Sequence, residues 1–325
     1  MTGDRKGWYA VSLSNGVPAG TSSGTHLLGE EIVVWRDAGG TPHVWVDRCP
    51  HRGMRLSYGF VRSDRITCLY HGWTYGTDGR LRHVPHEHGF PGLDKASRGL
   101  VPLETAEVGG VVFVTQGPPR CDAWLKDLPE LIPPRYRIVG GSDLDVPTNW
   151  KIAVESFLEG YHIRTTHAQT FYPVQFDNLN VIETFGPNNR VTFPYRAVHK
   201  LRTVPRAERS VDGTLTYVYH LFPNVMVATF PGRIILVVLE PLAVDRTRFV
   251  TYALSDRQAR DDEAQSAVKR NSDLVDRGGA EDREIICGIQ RSLDSGANEF
   301  FEFGLFEGAI GHFHRVLQSA IDGTS

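Results

Sequence analysis

Two short strings constrain this chain more than anything else in it: Cys49-Pro50-His51-Arg52-Gly53 and Cys68-Leu69-Tyr70-His71-Gly72-Trp73. They present two thiols and two imidazoles in the order C-x-H and C-x2-H, with sixteen residues between His51 and Cys68. Structural zinc sites usually open with C-x2-C, because two thiolates from one turn seat a tetrahedral ion. Here each string supplies one sulfur and one nitrogen. Such a mixed set suits a two-iron cluster in which one iron takes both cysteines and the other both histidines. A structural zinc site is the alternative that these residue types leave open.

The rest of the composition narrows the class. With 325 residues there is chain enough for two ordinary domains, and 41% hydrophobic with 22% charged residues is the balance of a globular protein. A net charge of −3 argues against nucleic-acid binding. No apolar run approaches the ~20 residues of a membrane span, so no membrane association is expected. The opening segment runs into Trp8-Tyr9-Ala10-Val11 without a signal-peptide core. Only Cys121 and Cys287 remain outside the two strings, which is no disulfide framework; a cytoplasmic location is expected.

From Trp8 to about Gln116 the chain reads as short strands between turns, among them Glu31–Trp35, His43–Val46 and Gly110–Val114. Both ligand strings fall at turns of this β-rich unit. The breaker cluster Gly117-Pro118-Pro119-Arg120 is the expected boundary, giving domains 1–118 and 119–325. The second domain opens with helical periodicity from Trp150 to about His167. Five strand-like runs follow, at 190–193, 215–220, 225–228, 234–239 and 248–252. A helical tail over about 257–322 completes it, with breaks expected near Gly278-Gly279 and Ser295-Gly296. Strands enclosed by helices, without βαβ alternation, predict an α+β domain with an antiparallel sheet.

The first helix of that domain carries a second cluster. At about 100° per residue, Glu155, Glu159 and His162 fall within roughly 60° of one another. Three ionisable groups buried on one face need a partner, and a divalent cation would serve. His167 would lie roughly 140° away on an ideal helix, so the helix is expected to distort or end around Thr165-Thr166 to bring both imidazoles to one metal. A solvated polar face is the plain alternative.

Taken with the Cys/His strings, this pattern identifies a family. The strings, with Arg52-Gly53 and Gly72-Trp73, resemble the ligand loops of Rieske [2Fe–2S] proteins. Asn149-Trp150-Lys151 followed by E-x3-E-x-Y-H-x4-H resembles the mononuclear-iron segment of Rieske non-haem iron oxygenases, at the expected place downstream. The resemblance implies a β-rich Rieske domain followed by a helix-grip catalytic domain, acting as the terminal oxygenase alpha subunit. It implies a Rieske cluster held by Cys49, His51, Cys68 and His71, and a mononuclear Fe(II) held by His162, His167 and a carboxylate in Ala280–Ile286. Two histidines and one carboxylate leave positions open for oxygen. Helical geometry selects Asp282 independently, since Ile285, Ile286, Ile289 and Leu293 define an apolar face centred almost on it; a helix cap is its plainer role.

Glu159, Glu155 and Asn149 are the further candidate catalytic residues. Glu159 stands where most of the family has Asp, at the position implied to link His162 to the Rieske histidine of a neighbouring subunit, here His71. Glu155 is expected to hold a ligand histidine in the required tautomer. Some relatives acting on quaternary ammonium compounds also carry Glu at the position of Glu159, though with cysteines flanking the Tyr-His pair where this chain has Gly160 and Ile163. Such a non-aromatic substrate is the alternative to an aromatic one. The expected reaction is hydroxylation, dihydroxylation or oxidative demethylation of a small organic molecule with O2. No nucleotide-binding fingerprint is present, so a separate NAD(P)H-dependent reductase, directly or through a ferredoxin, must supply electrons. Resemblance further implies a homotrimer. A Rieske electron carrier without oxygenase activity is the competing class.

Other residues carry plainer expectations. Trp73 and Tyr70 are expected beside the cluster. Phe171, Tyr172 and Phe176 are read equally as pocket or core. His83, His86 and His88 read as loop residues, and His312 and His314 as packing or surface residues.

Overall fold

The protein, seen here as a computed structural model, is described over residues 7–117, 123–211, 213–256, 262–296, 298 and 300–323. It forms two compact units, Met1–Leu131 and Ile132–Ser325. The division falls later than the boundary expected at 118/119. A short helix, α1 (Ala123–Lys126), stays with the first unit, where Trp124 meets Phe113 edge-on at 5.8 Å. Pro118, Pro119, Arg120 and Cys121 lie outside the described residues.

The first unit holds two antiparallel sheets. Strands β1 (Tyr9–Leu13), β2 (Ser22–Leu27), β3 (Glu30–Arg36) and β4 (Pro42–Val46) join β9 (Pro102–Val108) and β10 (Val111–Thr115) in the order β1-β10-β9-β4-β3-β2. Between β4 and β9 the chain inserts a meander of β5 (Phe60–Arg62), β6 (Arg65–Thr67), β7 (Thr74–Gly76) and β8 (Leu81–His83). The run Ile32-Val33-Val34-Trp35 in β3 is buried throughout. Because successive side chains on a strand point to opposite faces, it feeds two cores. Ile32 and Val34 pack with Tyr9, Val11 and Val112; Val33 and Trp35 pack with Trp45, Trp73, Tyr75 and both string cysteines.

Arg36 ends that strand and is buried. Its guanidinium donates to the carbonyls of Val17, Gly40 and Ser14 and to the carboxylate of Glu107. Burial would raise the Glu107 pKa, but the hydrogen bonds from Arg36 outweigh it and hold the carboxyl below its ordinary range.

Among the described residues, the second unit is a seven-stranded antiparallel sheet with three α-helices. In order the strands are β11 (Arg137–Val146), β17 (Arg246–Ser255), β16 (Arg233–Ala243), β15 (Val225–Phe230), β14 (Leu215–Leu221), β13 (Asn188–Pro194) and β12 (Val181–Phe185). Helices α2 (Trp150–Phe157), α3 (Asp262–Leu293) and α4 (Gly308–Asp322) complete it. Ile152 and Val154 of α2, Ile286 of α3 and Phe313 of α4 share one core with Val191, Val218, Met226 and Leu239 of the sheet. The α+β expectation is met. Among the described residues no helix is long and apolar enough to cross a membrane.

One expected break is absent. Helix α3 runs through Gly278-Gly279 without interruption. A Cβ on Gly278 would lie 2.4 Å from Cε2 of Phe171, so the missing side chain lets the helix approach that ring. The second break is real: α3 ends at Leu293, and Gly296 takes φ +65°.

A polar chain threads the sheet core. His312 Nδ1 bonds Asn189 Oδ1 at 2.8 Å, Asn189 Nδ2 bonds His220 Nδ1 at 3.3 Å, and His220 Nε2 bonds the Pro223 carbonyl at 3.1 Å. This order fixes His220 as the neutral Nε2–H tautomer, its Nδ1 accepting. Burial lowers its pKa to about 4, below the unfolded value. The unfolded chain therefore binds the extra proton first as pH falls from about 6.5 towards 4, and stability drops across that window. Between pH 7 and pH 5 the wild type should lose about 2 kcal/mol more than His220→Gln. Denaturant unfolding of both proteins at the two pH values measures this; parallel losses would show that His220 is not the titrating group.

Candidate metal centres

The two Cys/His strings adopt the same backbone turn. Cys49 N–H donates to Met54 O at 2.8 Å and Gly53 N–H to Cys49 O at 2.9 Å; Cys68 N–H donates to Trp73 O at 2.9 Å and Gly72 N–H to Cys68 O at 3.0 Å. Gly53 and Gly72 take φ +76° and +73°, a left-handed conformation that favours glycine. The glycine four residues after each cysteine is thus explained by the turn. Cys68 directly follows β6 and Trp73 directly precedes its partner β7, while Asp47, accepting from Ser57 N and Oγ at 2.9 and 2.5 Å, braces the chain before Cys49.

The side chains converge as the ligand types require. The rings of His51 and His71 lie 4.5 Å apart, and His51 stacks on Trp73 at 4.6 Å with planes 2° apart. Both cysteines are buried and free. A hydrogen bond from Cys68 lowers the Cys49 pKa to about 6, against the effect of burial and with help from the Tyr75 hydroxyl 3.3 Å away. Cys68, the partner that keeps the proton, is pushed up. Two buried thiols sharing one proton are a natural pair of thiolate ligands. Nδ1 of His51 is buried and finds no hydrogen-bond partner among the described residues, as a nitrogen meant for a metal would. The residues fit a two-iron cluster. Tyr70, expected beside it, is instead 61% exposed and lies against His71 at 3.7 Å, while Trp73 is buried as expected.

The second centre forms where α2 stops. The helix ends at Phe157, well before the expected Thr165-Thr166, and His162 lies in a separate 3-10 turn, Tyr161–Arg164. Glu159 explains the early end. Its Oε2 accepts from the backbone N–H groups of Tyr161 and His162, donors that a continuing α-helix would direct to earlier carbonyls. Its other oxygen bonds His162 Nδ1.

Past that turn the imidazoles meet the carboxylate of α3. His167 Nε2 lies 2.9 Å and His162 Nε2 3.5 Å from Asp282 Oδ1. One ligand atom from each of the three lies within 4.8 Å of the others. Each ring is oriented from behind by a second carboxylate, His162 by Glu159 and His167 by Glu281, whose Oε2 accepts from Nδ1 at 2.7 Å and from Thr170 Oγ1 at 2.7 Å. A proton fixed on Nδ1 leaves the Nε2 lone pair facing the shared point. Burial opposes charge on His162, but hydrogen bonds with Asp282 and Glu159 lift its pKa to about 10. Burial likewise opposes charge on Asp282, yet the two imidazoles hold it lowered. The buried carboxylates favour positive charge at this point, and a divalent cation would supply it. The donor set suits iron(II).

Some expected roles fall elsewhere. Glu155 bonds His314 Nε2 on α4 at 2.8 Å, so its carboxylate is not the one orienting a ligand histidine. Asn149 caps α2 by accepting from Lys151 N at 2.9 Å and donates to the Val244 carbonyl at 2.6 Å. Glu281 was not among the candidates because it lies off the apolar face drawn through Ile285 and Ile289. Those two are 45% and 38% exposed, and the buried line of α3 instead passes through Gly278, Ile286 and Gln290. The adjacent Glu281-Asp282 pair was the available signal: side chains about 100° apart on a helix reach different nitrogens of one imidazole, Glu281 at Nδ1 and Asp282 at Nε2 of His167. Phe171 meets His167 edge-on at 4.8 Å and lines a cavity of about 870 Å³ beside the centre. Tyr172 and Phe176 instead face the Arg196 guanidinium.

Both parts of the chain match known protein families. Residues 134–323 match the protein family described as ring hydroxylating alpha subunit (catalytic domain), and residues 7–97 match the Rieske [2Fe-2S] domain. Chloroplastic choline monooxygenase of Arabidopsis thaliana is 25% identical over 96% of this chain and 76% of its own. Phenoxybenzoate dioxygenase subunit alpha of Ectopseudomonas oleovorans is 33% identical over 55% of this chain and 46% of its own. The quaternary ammonium Rieske monooxygenase CntA, solved with L-carnitine, shares the fold with a TM-score of 0.76, 20% identity and coverage of 97% of this chain and 89% of its own. Dicamba monooxygenase shares it at 0.70 and 17% identity over 100% of both chains.

Removing the carboxylate behind His167 should loosen the metal without touching the cluster. Glu281→Gln should weaken Fe(II) binding roughly 10- to 100-fold, as loss of such a partner typically does, while Glu155→Gln leaves it unchanged. Iron titration followed by metal analysis separates the two; equal affinity in Glu281→Gln would remove its positioning role.

Proposed function

The chain belongs to the ring-hydroxylating alpha subunits of the Rieske oxygenases, and we propose that it oxidises a small aromatic substrate with O2 in the cavity beside His162, His167 and Asp282. As a terminal oxygenase it uses a [2Fe–2S] cluster and a mononuclear iron. We assign the cluster to Cys49, His51, Cys68 and His71, and the iron to His162, His167 and Asp282. The observation that carries the reading is the convergence of those three side chains within 4.8 Å at the wall of an apolar cavity. When bound, the iron activates oxygen with electrons delivered through the cluster.

The chain's own residues do the rest. Glu159 and Glu281 hold the imidazoles in the tautomer that directs Nε2 to the metal. Phe171, Phe193, Phe230 and Phe249 line the cavity, exclude water and offer ring faces to a substrate. A volume of about 870 Å³ accommodates a molecule of one or two rings. The likeness to choline monooxygenase favours a second reading, oxidation of an alkylammonium compound. Against it, the described cavity lining contains no Trp or Tyr, the stronger aromatic faces for a quaternary ammonium.

Electrons come from a separate NAD(P)H-dependent reductase, directly or through a ferredoxin. Self-association into a head-to-tail trimer is supported by two surfaces. One is the exposed Leu69-Tyr70-His71 tip of the second string; the other is a groove lined by Glu155, Glu159, Ile285, Ile289 and Phe301. A heterologous contact of this kind closes into a ring. We place the protein in the reducing cytoplasm, where Cys49 and Cys68 stay available as thiolates.

Asp282→Ala should abolish substrate turnover while the reduced cluster keeps its EPR spectrum. In the wild type, nitric oxide added to the reduced, iron-loaded protein should give a high-spin iron–nitrosyl signal that ring compounds reshape and choline does not. Turnover retained in Asp282→Ala would reject the ligand assignment, and a signal responsive to choline alone would transfer the conclusion to the ammonium reading.

A further inference from the structure

Among the charged groups lining the catalytic-unit cavity, Arg233 stands apart. It follows the Pro231-Gly232 turn at the start of β16, paired with Phe230 across the hairpin and with Ser255 on the other side. Its side chain keeps only 12% of its exposure. Nη2 reaches Asp276 Oδ1 at 3.2 Å, but Nε is buried and finds no acceptor among the described residues. The walls beside it are apolar, with Phe230, Ile235, Phe171 and Phe249 in the same lining.

A buried donor without an acceptor is unfavourable, because it has given up water and gained nothing. A ligand oxygen that reaches Nε recovers that loss, and a carboxylate can take Nε–H and an Nη–H together in the paired geometry that guanidinium favours. The cavity also meets Asp273, Asp276 and Arg283. Asp273 is exposed and the Asp276 side chain is 63% exposed, so solvent screens both carboxylates. Among these groups Arg233 is the one whose side chain is 12% exposed and whose Nε has no acceptor among the described residues, so the charge that the cavity wall leaves in need of a partner is a cation.

We propose that Arg233 binds a carboxylate, or an equivalent anionic oxygen group, on the substrate. The inference deepens the aromatic reading and rests on it. Helix α3 supplies the scale. Asp276, the partner of Arg233, and Asp282, at the metal centre, are six residues apart on one uninterrupted helix, or roughly 9 Å along its axis. The substrate is an aromatic acid whose oxidised carbon and anionic group are separated by about one ring and a short spacer. Arg233 selects and orients it while the phenylalanine walls hold the ring.

Three compounds with one apolar body test this on the full-length, iron-loaded protein: 3-phenylpropanoate, 3-phenylpropanol and (3-phenylpropyl)trimethylammonium. Calorimetry should show the acid binding at least about ten-fold tighter than the alcohol, the scale of one charge-assisted contact. Arg233→Met should erase that preference while alcohol binding, iron content and the cluster spectrum persist. Arg233→Lys, which keeps the charge but lacks Nε–H, should restore part of it, and Asp276→Asn should strengthen acid binding. Equal binding of acid and alcohol to the wild type would overturn the role of Arg233 and leave the aromatic reading standing, as would a preference that survives Arg233→Met. Preference for the ammonium compound would overturn it as well. Failure of all three phenyl compounds where choline binds would reject the aromatic reading, and this inference with it.

Discussion

The carboxylate of Asp282, set between the Nε2 atoms of His162 and His167, is the contact on which the catalytic unit depends. It joins two stretches of chain more than a hundred residues apart. Buried groups of this kind are unstable alone, and losing one partner of a buried pair typically costs about 3–5 kcal/mol. Everything nearby serves to bring them together and balance them. Gly278 lets α3 approach the Phe171 ring, which in turn packs on His167. Glu281 and Glu159 hold the far sides of the imidazoles. Against burial, hydrogen bonds with Asp282 and Glu159 lift the pKa of His162 to about 10, so these carboxylates favour positive charge between them.

The two centres are built in opposite ways. Each cluster string is a closed turn whose hydrogen bonds run within six residues, and its glycine is dictated by a left-handed backbone angle. Sequence and geometry coincide there because the turn is local. The strands β6 and β7 then fix the second turn, and the Asp47–Ser57 contacts brace the approach to the first. The other centre has no such economy of range. Its ligands come from an irregular segment and a distant helix, and only packing of α3 against the core through Ile286 puts Asp282 in reach.

That difference decides what was legible beforehand. Cys49, His51, Cys68 and His71 were readable as a set because ligand type and spacing carry the chemistry in one short stretch. Strands β3, β4 and β10 of the first unit and β13 to β17 of the second were readable as apolar or β-branched runs between turn residues, β3 as an unbroken apolar run that proves to serve two cores. The edge strands β11 and β12, with mostly exposed residues, were not. The helix after Asn149 was read too long, since periodicity describes a helix while it lasts and says nothing about a side chain that competes for its backbone donors. Glu155 was misplaced for the same reason: extrapolating one helical face put it beside His162, whereas the chain turns away and leaves it with His314. Gly278-Gly279 was read as a break because glycine has two uses, conformational freedom and small size, and sequence alone does not say which applies.

Glu159 gathers these strands of argument into one residue. One carboxylate oxygen receives two backbone donors of the turn that carries His162, and the other receives the imidazole itself. The same group therefore ends α2, shapes the turn and sets the tautomer of the ring on it. An aspartate would share the charge but reach one methylene less, about 1.5 Å at single-bond lengths. Serving the backbone donors and Nδ1 together would then require the turn to draw closer to its own start. The longer side chain and the early end of the helix are two sides of one solution. It leaves the carboxylate beside the groove of Ile285 and Ile289 while its protein contacts all point back at His162 and its turn. A charge held so firmly on one side and bordering an open groove on the other is well placed to be both a structural pin and the outermost polar group of the metal centre.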